Sequence, residues 1–200
     1  SELSSKHVTA PYRTGRMDLQ QEEHVFIDDP KGPLKLWIHP DGAGDLPRDR
    51  EYAIGVDIAT GTGASNSAIS VGDRKTGEKV GEFAHPNLRP DEFAKYAVAL
   101  ARWFRGSNNR GAMMVWEAAG PGRIFGDVVV NELNYRNVYL RQSEGRIAKR
   151  QSELLGWYPT RDSKVTLFGN YRKNLYAERF INRSAEAMKE HREIIYNASG

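Results

Sequence analysis

The stretch of sequence that decides the fold is Tyr52-Ala-Ile-Gly-Val-Asp57-Ile-Ala-Thr-Gly-Thr-Gly63. Its apolar residues are typical of a strand buried on both faces, and this predicted strand ends in one carboxylate followed by a glycine-rich turn. An ionised aspartate is costly to bury there unless a cation pairs with it, and a divalent metal is the usual partner. The alternative is that Asp57 only caps the turn by accepting backbone N–H bonds.

A second segment repeats this arrangement sixty residues later. It is Ala112-Met-Met-Val-Trp-Glu117-Ala-Ala-Gly-Pro-Gly122, again an apolar strand, one acid at its end, then glycine and proline. Two carboxylates held close together repel each other unless a cation lies between them. Asp57 and Glu117 therefore predict a catalytic metal site, with two Mg²⁺ or Mn²⁺ ions as cofactors. Taken alone, Glu117 is equally well interpreted as a surface acid at a strand end.

The composition is that of a soluble globular protein. The 200 residues are 39% hydrophobic and 28% charged, and the sequence has no cysteine. The lack of cysteine excludes a disulfide framework, a thiolate zinc site and a cysteine nucleophile, and it fits a reducing cytoplasm. Because residues 1–6 lack an apolar core, we expect no secretory leader, and the sequence has no run of roughly 20 apolar residues of the kind that spans a bilayer.

Basic residues are concentrated in the C-terminal half. The formal net charge is +3, yet residues 141–183 contain ten basic and only four acidic residues, interleaved with aromatic ones. This pattern favours a polyanion such as double-stranded DNA as partner, although a solvated helix face has the same composition. The predicted DNA-binding residues are Arg141, Arg146, Lys149, Arg150, Arg161 and Lys164.

The pattern along the chain predicts two parts. Residues 1–50 are expected to form a flexible lead-in to residue 23, a short hairpin with strands 24–28 and 34–38, and a linker over 40–49. Residues 51–200 are the predicted main domain. Its predicted strands are 52–58, 67–74, 79–85, 112–117 and 137–141, and its predicted helices are 90–104, 121–133, 163–181 and 184–195.

This order of elements predicts an α/β fold. Three antiparallel strands followed by two parallel ones would make a five-stranded mixed sheet flanked by helices, which is a ribonuclease-H-like arrangement. In that arrangement the first and fourth strands of the domain are neighbours. Asp57 and Glu117 would therefore lie side by side.

Several segments together resemble the nuclease domain of the terminase large subunit of tailed bacteriophages. They are residues 52–63, 115–122 and 155–164, preceded by 32–40, and the resemblance covers roughly residues 24–200. It implies a metal-dependent endonuclease that cuts concatemeric double-stranded DNA in the host bacterial cytoplasm. The implied protein partners are the terminase ATPase domain, the small terminase subunit and the portal.

Two departures from that family follow from the sequence. There is no Gly-x-x-x-x-Gly-Lys-Ser/Thr loop, so the ATPase half is not part of this chain. The family also uses a third acid beyond the helix that matches 184–195, and no aspartate follows Glu193. The 51–200 domain is therefore expected to be truncated at its C-terminus and to cut poorly. Asp127 and Asp162 are alternative candidates for the third ligand. The simpler interpretation is that Asp127 is a surface residue and that Asp162 is a helix N-cap.

Two other functions stay open at this point. Asp-x-x-x-Gly-x-Gly after a strand also opens the phosphate loop of actin-like and sugar-kinase ATPases, so the chain can be interpreted as a fragment of one. The run Thr60-Gly-Thr-Gly63 would then cradle phosphate, whereas its simpler interpretation is a strand connection. The third possibility is a catalytically incomplete module that binds DNA or docks on the portal.

Overall fold

The computed structural model describes residues 5–20, 25–142 and 153–198. Its centre is a seven-stranded mixed sheet with the strand order β2-β1-β3-β6-β5-β4-β7. All neighbouring strands are antiparallel except β4 and β7, which are parallel. The strands are β1 (Arg13–Asp18), β2 (Val25–Asp28), β3 (Leu34–Leu36), β4 (Tyr52–Asp57), β5 (Ser67–Asp73), β6 (Glu78–His85) and β7 (Met113–Trp116).

A small second sheet and four helices complete the described part of the chain. The second sheet pairs β8 (Leu140–Gln142) with β9 (Glu153–Leu155). The helices are α1 (Pro90–Trp103), α2 (Gly122–Asp127), α3 (Arg161–Tyr176) and α4 (Ala185–Ala198), and α2 continues into a π-helical turn, Val128–Glu132. Among the described residues, no helix is both long and apolar enough to cross a membrane.

One face of the large sheet, here called the inner face, carries the hydrophobic core. Side chains alternate between the two faces of a strand, so Ile54 and Val56 of β4 point to the inner face and are buried. Helices α1 and α2 cover this face through aromatic contacts: Phe93 packs on Phe83, and Phe125 packs edge-on against Trp116. Each fully buried side chain of this size contributes roughly 1.5–3 kcal/mol to folding.

The opposite face, here called the outer face, is covered only in part. Helix α4 lies over its β3–β6 side, where Lys35 contacts Glu186 and the carboxylate of Glu82 is hydrogen-bonded to Ser184. Over β4 and β5 this face is open, since Gly55 and Ser70 are exposed. The hydroxyl of Ser184 accepts a hydrogen bond from the Ala187 N–H (3.2 Å), and Ser184 thereby caps the N-terminal end of α4.

The prediction that strands 24–28 and 34–38 pair with each other as a hairpin is wrong. Strand β1, which lies in the predicted flexible lead-in, inserts between β2 and β3 and pairs with both. Its sequence gives little sign of this, because only Gly15 and Met17 are buried. Gly15 allows the close approach, since a Cβ there would lie 2.2 Å from the Ile27 carbonyl oxygen. The sheet thus runs across residue 50, and the division of the chain into residues 1–50 and a main domain of 51–200 stays a prediction.

The predicted fifth strand, 137–141, is largely replaced by the β8–β9 pair. Only Val138 continues the large sheet, through one parallel bridge to Met114. Strand β8 then turns away to pair with β9. The sheet therefore has seven strands rather than five, with three of them contributed by the first fifty residues. The predicted class, an α/β fold with a mixed sheet flanked by helices, is confirmed.

Candidate metal centre

Asp57 and Glu117 lie at the same end of two paired parallel strands. The register of β4 and β7 runs from Ala53 opposite Met113 to Val56 opposite Trp116, and the two acids follow directly after that last pair. Because paired residues of parallel strands face the same side, both carboxylates belong to the outer face. Neighbouring strands are about 4.8 Å apart, so the two side chains start from adjacent backbone positions.

The exposure of these acids differs from the sequence expectation. The predicted strand was buried on both faces, whereas β4 is buried on the inner face alone and Asp57 is exposed. Glu117 is half-buried. Burial of an unpaired charge therefore does not call for a cation here. Instead, the two neighbouring carboxylates favour a metal between them, because they repel each other without one.

The backbone around Glu117 is held by its neighbours. The indole Nε1 of Trp116 donates a hydrogen bond to the Gly122 carbonyl oxygen (3.1 Å). A Cβ at Gly122 would lie 1.8 Å from the carbonyl oxygen of Glu117, so only glycine fits where the chain turns from β7 into α2. This packing fixes the direction in which the chain leaves β7, and with it the starting position of the Glu117 side chain.

The segment that follows β9 pairs with the backbone at Glu117 through a parallel bridge from Trp157. Trp157 N–H donates to the Trp116 carbonyl and Ala118 N–H donates to the Trp157 carbonyl, both at 2.8 Å. Helix α3 begins at Arg161, only four residues further along. Since four residues span at most about 14 Å, the N-terminal end of α3 lies on the Glu117 side of the sheet.

The glycine-rich loop after Asp57 rests on the segment that follows β6. Ala59 N–H donates to the hydroxyl of the buried Ser67 (2.9 Å), and Gly63 N–H donates to the Pro86 carbonyl (3.1 Å). Gly61 has φ +77°, and a Cβ there would lie 2.6 Å from the Leu88 carbonyl oxygen. Two backbone donors of this loop are thus used inside the protein, which favours a strand connection over a phosphate cradle.

Three of the predicted DNA-binding residues lie on the β7 side of the sheet. The Arg141 guanidinium is 5.3 Å from the centre of the Tyr158 ring, a cation–π contact. Arg161 and Lys164 are exposed on the first turn of α3. Arg146, Lys149 and Arg150 lie outside the described residues. Arg123, an exposed basic residue one position after Gly122, is not among the predicted DNA-binding residues.

The fallback third ligands do not join the carboxylate pair. Asp127 is exposed at the end of α2 and accepts a hydrogen bond from Asn131 (2.7 Å). Asp162 is exposed in the first turn of α3, and its predicted role as N-cap is wrong, because Thr160 caps this helix by accepting from Ser163 N–H. Within residues 5–20, 25–142 and 153–198, no cluster of three or more His, Cys, Asp or Glu residues is arranged to hold a metal.

Comparison with known proteins identifies the fold. No protein-family model and no curated protein sequence matches the chain. Solved structures do match: the zinc-bound large terminase nuclease of thermophilic phage G20c is 14% identical with a TM-score of 0.58, over 96% of this chain and 87% of that one. The chain has the fold of a phage large terminase nuclease.

Two further structures support this terminase-nuclease fold. The magnesium-bound form of the phage G20c nuclease has a TM-score of 0.56 and 14% identity, over 80% of this chain and 68% of that one. The large terminase nuclease domain of Thermus phage P74-26 has a TM-score of 0.55 and 13% identity, over 95% of this chain and 74% of that one. The predicted resemblance to terminase nucleases is therefore confirmed at the level of the fold.

Buried charges hold α4 on the outer face of this terminase-nuclease fold. Lys79 and Glu82 of β6 form an ion pair there, with their side chains only 5% and 11% exposed. Burial raises the pKa of Glu82, but the charge of Lys79 and hydrogen bonds from Lys79 and Ser184 outweigh it, so this pKa is below its usual value. Burial lowers the pKa of His191 on α4, and the charge of Lys79 lowers it further.

Proposed function

We propose that this protein is the metal-dependent endonuclease domain of a viral DNA-packaging terminase, and that it cleaves double-stranded, concatemeric DNA. One observation carries the proposal: Asp57 and Glu117 lie next to each other at the ends of two parallel strands, on the open face of a terminase-nuclease fold. The nucleases that share this fold include forms with bound magnesium and bound zinc.

The two carboxylates fit Mg²⁺ or Mn²⁺. Mg²⁺ is held in proteins by one or two carboxylates together with substrate phosphates and water, and oxygen ligands suit both metals. Asp57 is exposed, so its surroundings leave room for those waters and phosphates. Asp57 would be shared by two metal ions and Glu117 would bind one of them. When bound, the ions activate water and stabilise the leaving oxygen in phosphodiester hydrolysis.

The other residues of the chain position the DNA and the acids. The open outer face admits a DNA backbone to the carboxylates, whereas the packing of Trp116 and Gly122 keeps Glu117 in place. Arg141, Arg161 and Lys164 would bind phosphates on the β7 side of the sheet, and the same role is proposed for Arg146, Lys149 and Arg150. Contacts to phosphate give affinity without sequence preference.

The cellular setting is part of the same proposal. The protein would work in the DNA-packaging motor of a tailed phage, in the host bacterial cytoplasm; the terminase-nuclease fold supports the packaging role. The expected partners are the terminase ATPase domain, the small terminase subunit and the portal.

Nicking of supercoiled plasmid tests the proposed activity. The protein should nick plasmid with Mg²⁺ or Mn²⁺ and lose this activity in EDTA. Asp57→Ala and Glu117→Ala should each reduce the rate by at least about a hundred-fold while DNA binding persists, because each removes a metal ligand. Asp127→Ala is the matched control, since it removes an exposed acid away from the pair. Undiminished nicking by Asp57→Ala would contradict the assignment.

A second candidate function is a DNA-binding or portal-docking module without catalysis. It is favoured by one observation, that the described residues supply no third acid to the Asp57–Glu117 pair. Metal-independent DNA binding with no nicking under any metal would support it. ATP hydrolysis in the absence of DNA would instead point to the actin-like or sugar-kinase interpretation.

The salt dependence of DNA binding tests the proposed phosphate contacts. Each phosphate contact that is lost lowers the slope of log K against log salt by about 0.9, so Arg161→Ala with Lys164→Ala should lower it by nearly 2. Lys95→Ala, an exposed lysine of α1, is the control and should leave the slope unchanged. An unaltered slope in the double variant would remove α3 from the DNA interface.

A further inference from the structure

Helix α3 has sixteen residues, and none of them is buried. It is capped at its start by the reciprocal hydrogen bonds of Thr160 and Ser163. Further along, it is attached to α4 through Tyr171, whose hydroxyl is 3.1 Å from His191 Nδ1. Most helices gain their stability by packing an apolar face on a core, and α3 does not do so among the described residues.

One side of α3 nevertheless carries apolar side chains in the open. At about 100° per residue, five positions from Val165 onward fall within an arc of roughly 100° on the helix surface, and Arg161 of the first turn lies on the same side. We call them the α3 stripe: Val165, Phe168, Gly169, Arg172 and Tyr176. Val165 is 67% exposed, Phe168 42% and Tyr176 62%. Val165 and Phe168, three positions apart, are neighbours on the helix surface, and adjoining exposed apolar side chains favour an interaction site; Leu167, 52% exposed, lies on the opposite side.

The helix that carries the stripe is strongly basic. It contains four basic residues and one acid, Asp162. No ion pair joins any of the four to a described residue. These are Arg161, Lys164, Arg172 and Lys173. The helix therefore presents unneutralised positive charge together with its apolar groups.

Gly169 in the middle of the stripe has no role within the described structure. A Cβ at this position would meet nothing within 4 Å. Glycine in a helix interior costs about 1 kcal/mol relative to alanine. Nothing in the described part of the chain requires this cost, whereas a partner that packs closely against the helix between Val165 and Arg172 would use the gap.

We propose that the α3 stripe is a docking surface for an acidic, amphipathic helical segment of a protein partner. Carboxylates of that segment would pair with Arg172 and its neighbours, and its apolar residues would bury Val165 and Phe168 beside the gap at Gly169. Duplex DNA fits this surface less well. Its exposed backbone offers phosphates but no apolar surface, so the apolar members of the stripe would stay in water.

A labelled synthetic peptide tests the proposal with the full chain. The peptide is helical, carries glutamates on one side and has leucines at every third or fourth position on the other. We expect saturable binding that weakens about ten-fold in Val165→Ser with Phe168→Ser, and by a similar factor in Gly169→Leu, which fills the gap. Gly169→Leu also removes the cost of glycine in the helix, so misfolding would not account for its loss of binding.

Matched controls separate apolar packing from charge. Ile124→Ser changes an exposed apolar residue of α2 (56% exposed), and Lys95→Glu changes an exposed basic residue of α1; neither should alter peptide affinity. Arg172→Glu should weaken the peptide about ten-fold. A leucine-free peptide of equal charge should bind about ten-fold more weakly than the amphipathic one.

Nucleic acid is measured in the same experiment. A single-stranded oligothymidine and a duplex of equal length should keep their affinity, within about two-fold, in Val165→Ser with Phe168→Ser. Loss of oligonucleotide binding with unchanged peptide binding would overturn the proposal and make the stripe a base-stacking surface. Peptide binding that is not saturable, or that is unchanged by the substitutions at Phe168 and Gly169, would overturn the proposal as well. These outcomes do not depend on nuclease activity.

Discussion

The two faces of the large sheet differ in polarity and in how far helices cover them. The inner face is apolar and closed: Ile54 and Phe83 are almost fully buried beneath α1 and α2. The outer face carries glycine, serine and charged residues, is closed by α4 over β3 and β6, and is open over β4 and β5. Burial of the inner face therefore stabilises the strands, while the carboxylates available for chemistry lie on the outer face.

This difference separates stability from function along a single strand. In β4, Ile54 and Val56 point into the core, whereas Gly55 and Asp57 point outward. A substitution on one side should change the free energy of unfolding, and a substitution on the other should change metal or DNA binding.

The largest expected effect comes from the inner face. Ile54→Ala should lower the free energy of unfolding by about 4 kcal/mol, because it leaves a cavity among fully buried side chains. Asp57→Asn, three positions along the same strand, should change it by no more than about 0.5 kcal/mol, because Asp57 is exposed. Urea denaturation of both variants gives the comparison. A large loss of stability in Asp57→Asn would mean that the outer face is not open.

A smaller loss is expected where the outer face is closed by α4. Lys79→Ala should cost about 3 kcal/mol, because it leaves the carboxylate of Glu82 buried without its main partner. Lys75→Ala is the control: its ion pair with Asp49 is exposed and contributes at most about 1 kcal/mol. If urea denaturation shows an equally small loss in the free energy of unfolding for both variants, the charges beneath α4 are hydrated and that part of the outer face is not closed.

The sequence predicted the elements that carry strong local patterns. The apolar strands that end in Asp57 and Glu117 are β4 and β7, and their parallel pairing follows from the α1 crossover between them. The predicted helix 90–104 is α1, because Pro90 opens it and its apolar residues recur with helical spacing. These features are local, so the residues themselves determine them.

The parts that the sequence did not predict depend on distant contacts. Strand β1 has two buried residues and is recognised only by its partners on either side. The prediction that Asp57 is buried was wrong, because the apolar pattern of a strand does not show whether a helix covers its second face. Lys79 and Glu82 look like surface charges in the sequence, and α4, a hundred residues away, makes them buried. The roles of Asp57 and Glu117 as metal ligands stay predictions.

The smallest effect expected at this closed side is a dependence of stability on pH. Burial and the charge of Lys79 lower the pKa of His191 from its usual 6.5 in the folded protein. The unfolded chain therefore binds the proton more readily, and stability is full above pH 6.5 and declines as the pH falls below it. The decline should stay below about 1 kcal/mol, because His191 is partly exposed to solvent.

Replacing the histidine isolates this term. Glutamine at position 191 does not titrate, so the His191→Gln variant should lack the loss of stability that His191 causes in the native protein between pH 7 and about 5. Glu82 does not interfere, because its pKa lies below the usual 4.5 and it titrates at lower pH. Thermal unfolding at several pH values measures both curves. Parallel curves for the two proteins would show that His191 is as accessible to protons in the folded state as in the unfolded chain, and that α4 does not shield it.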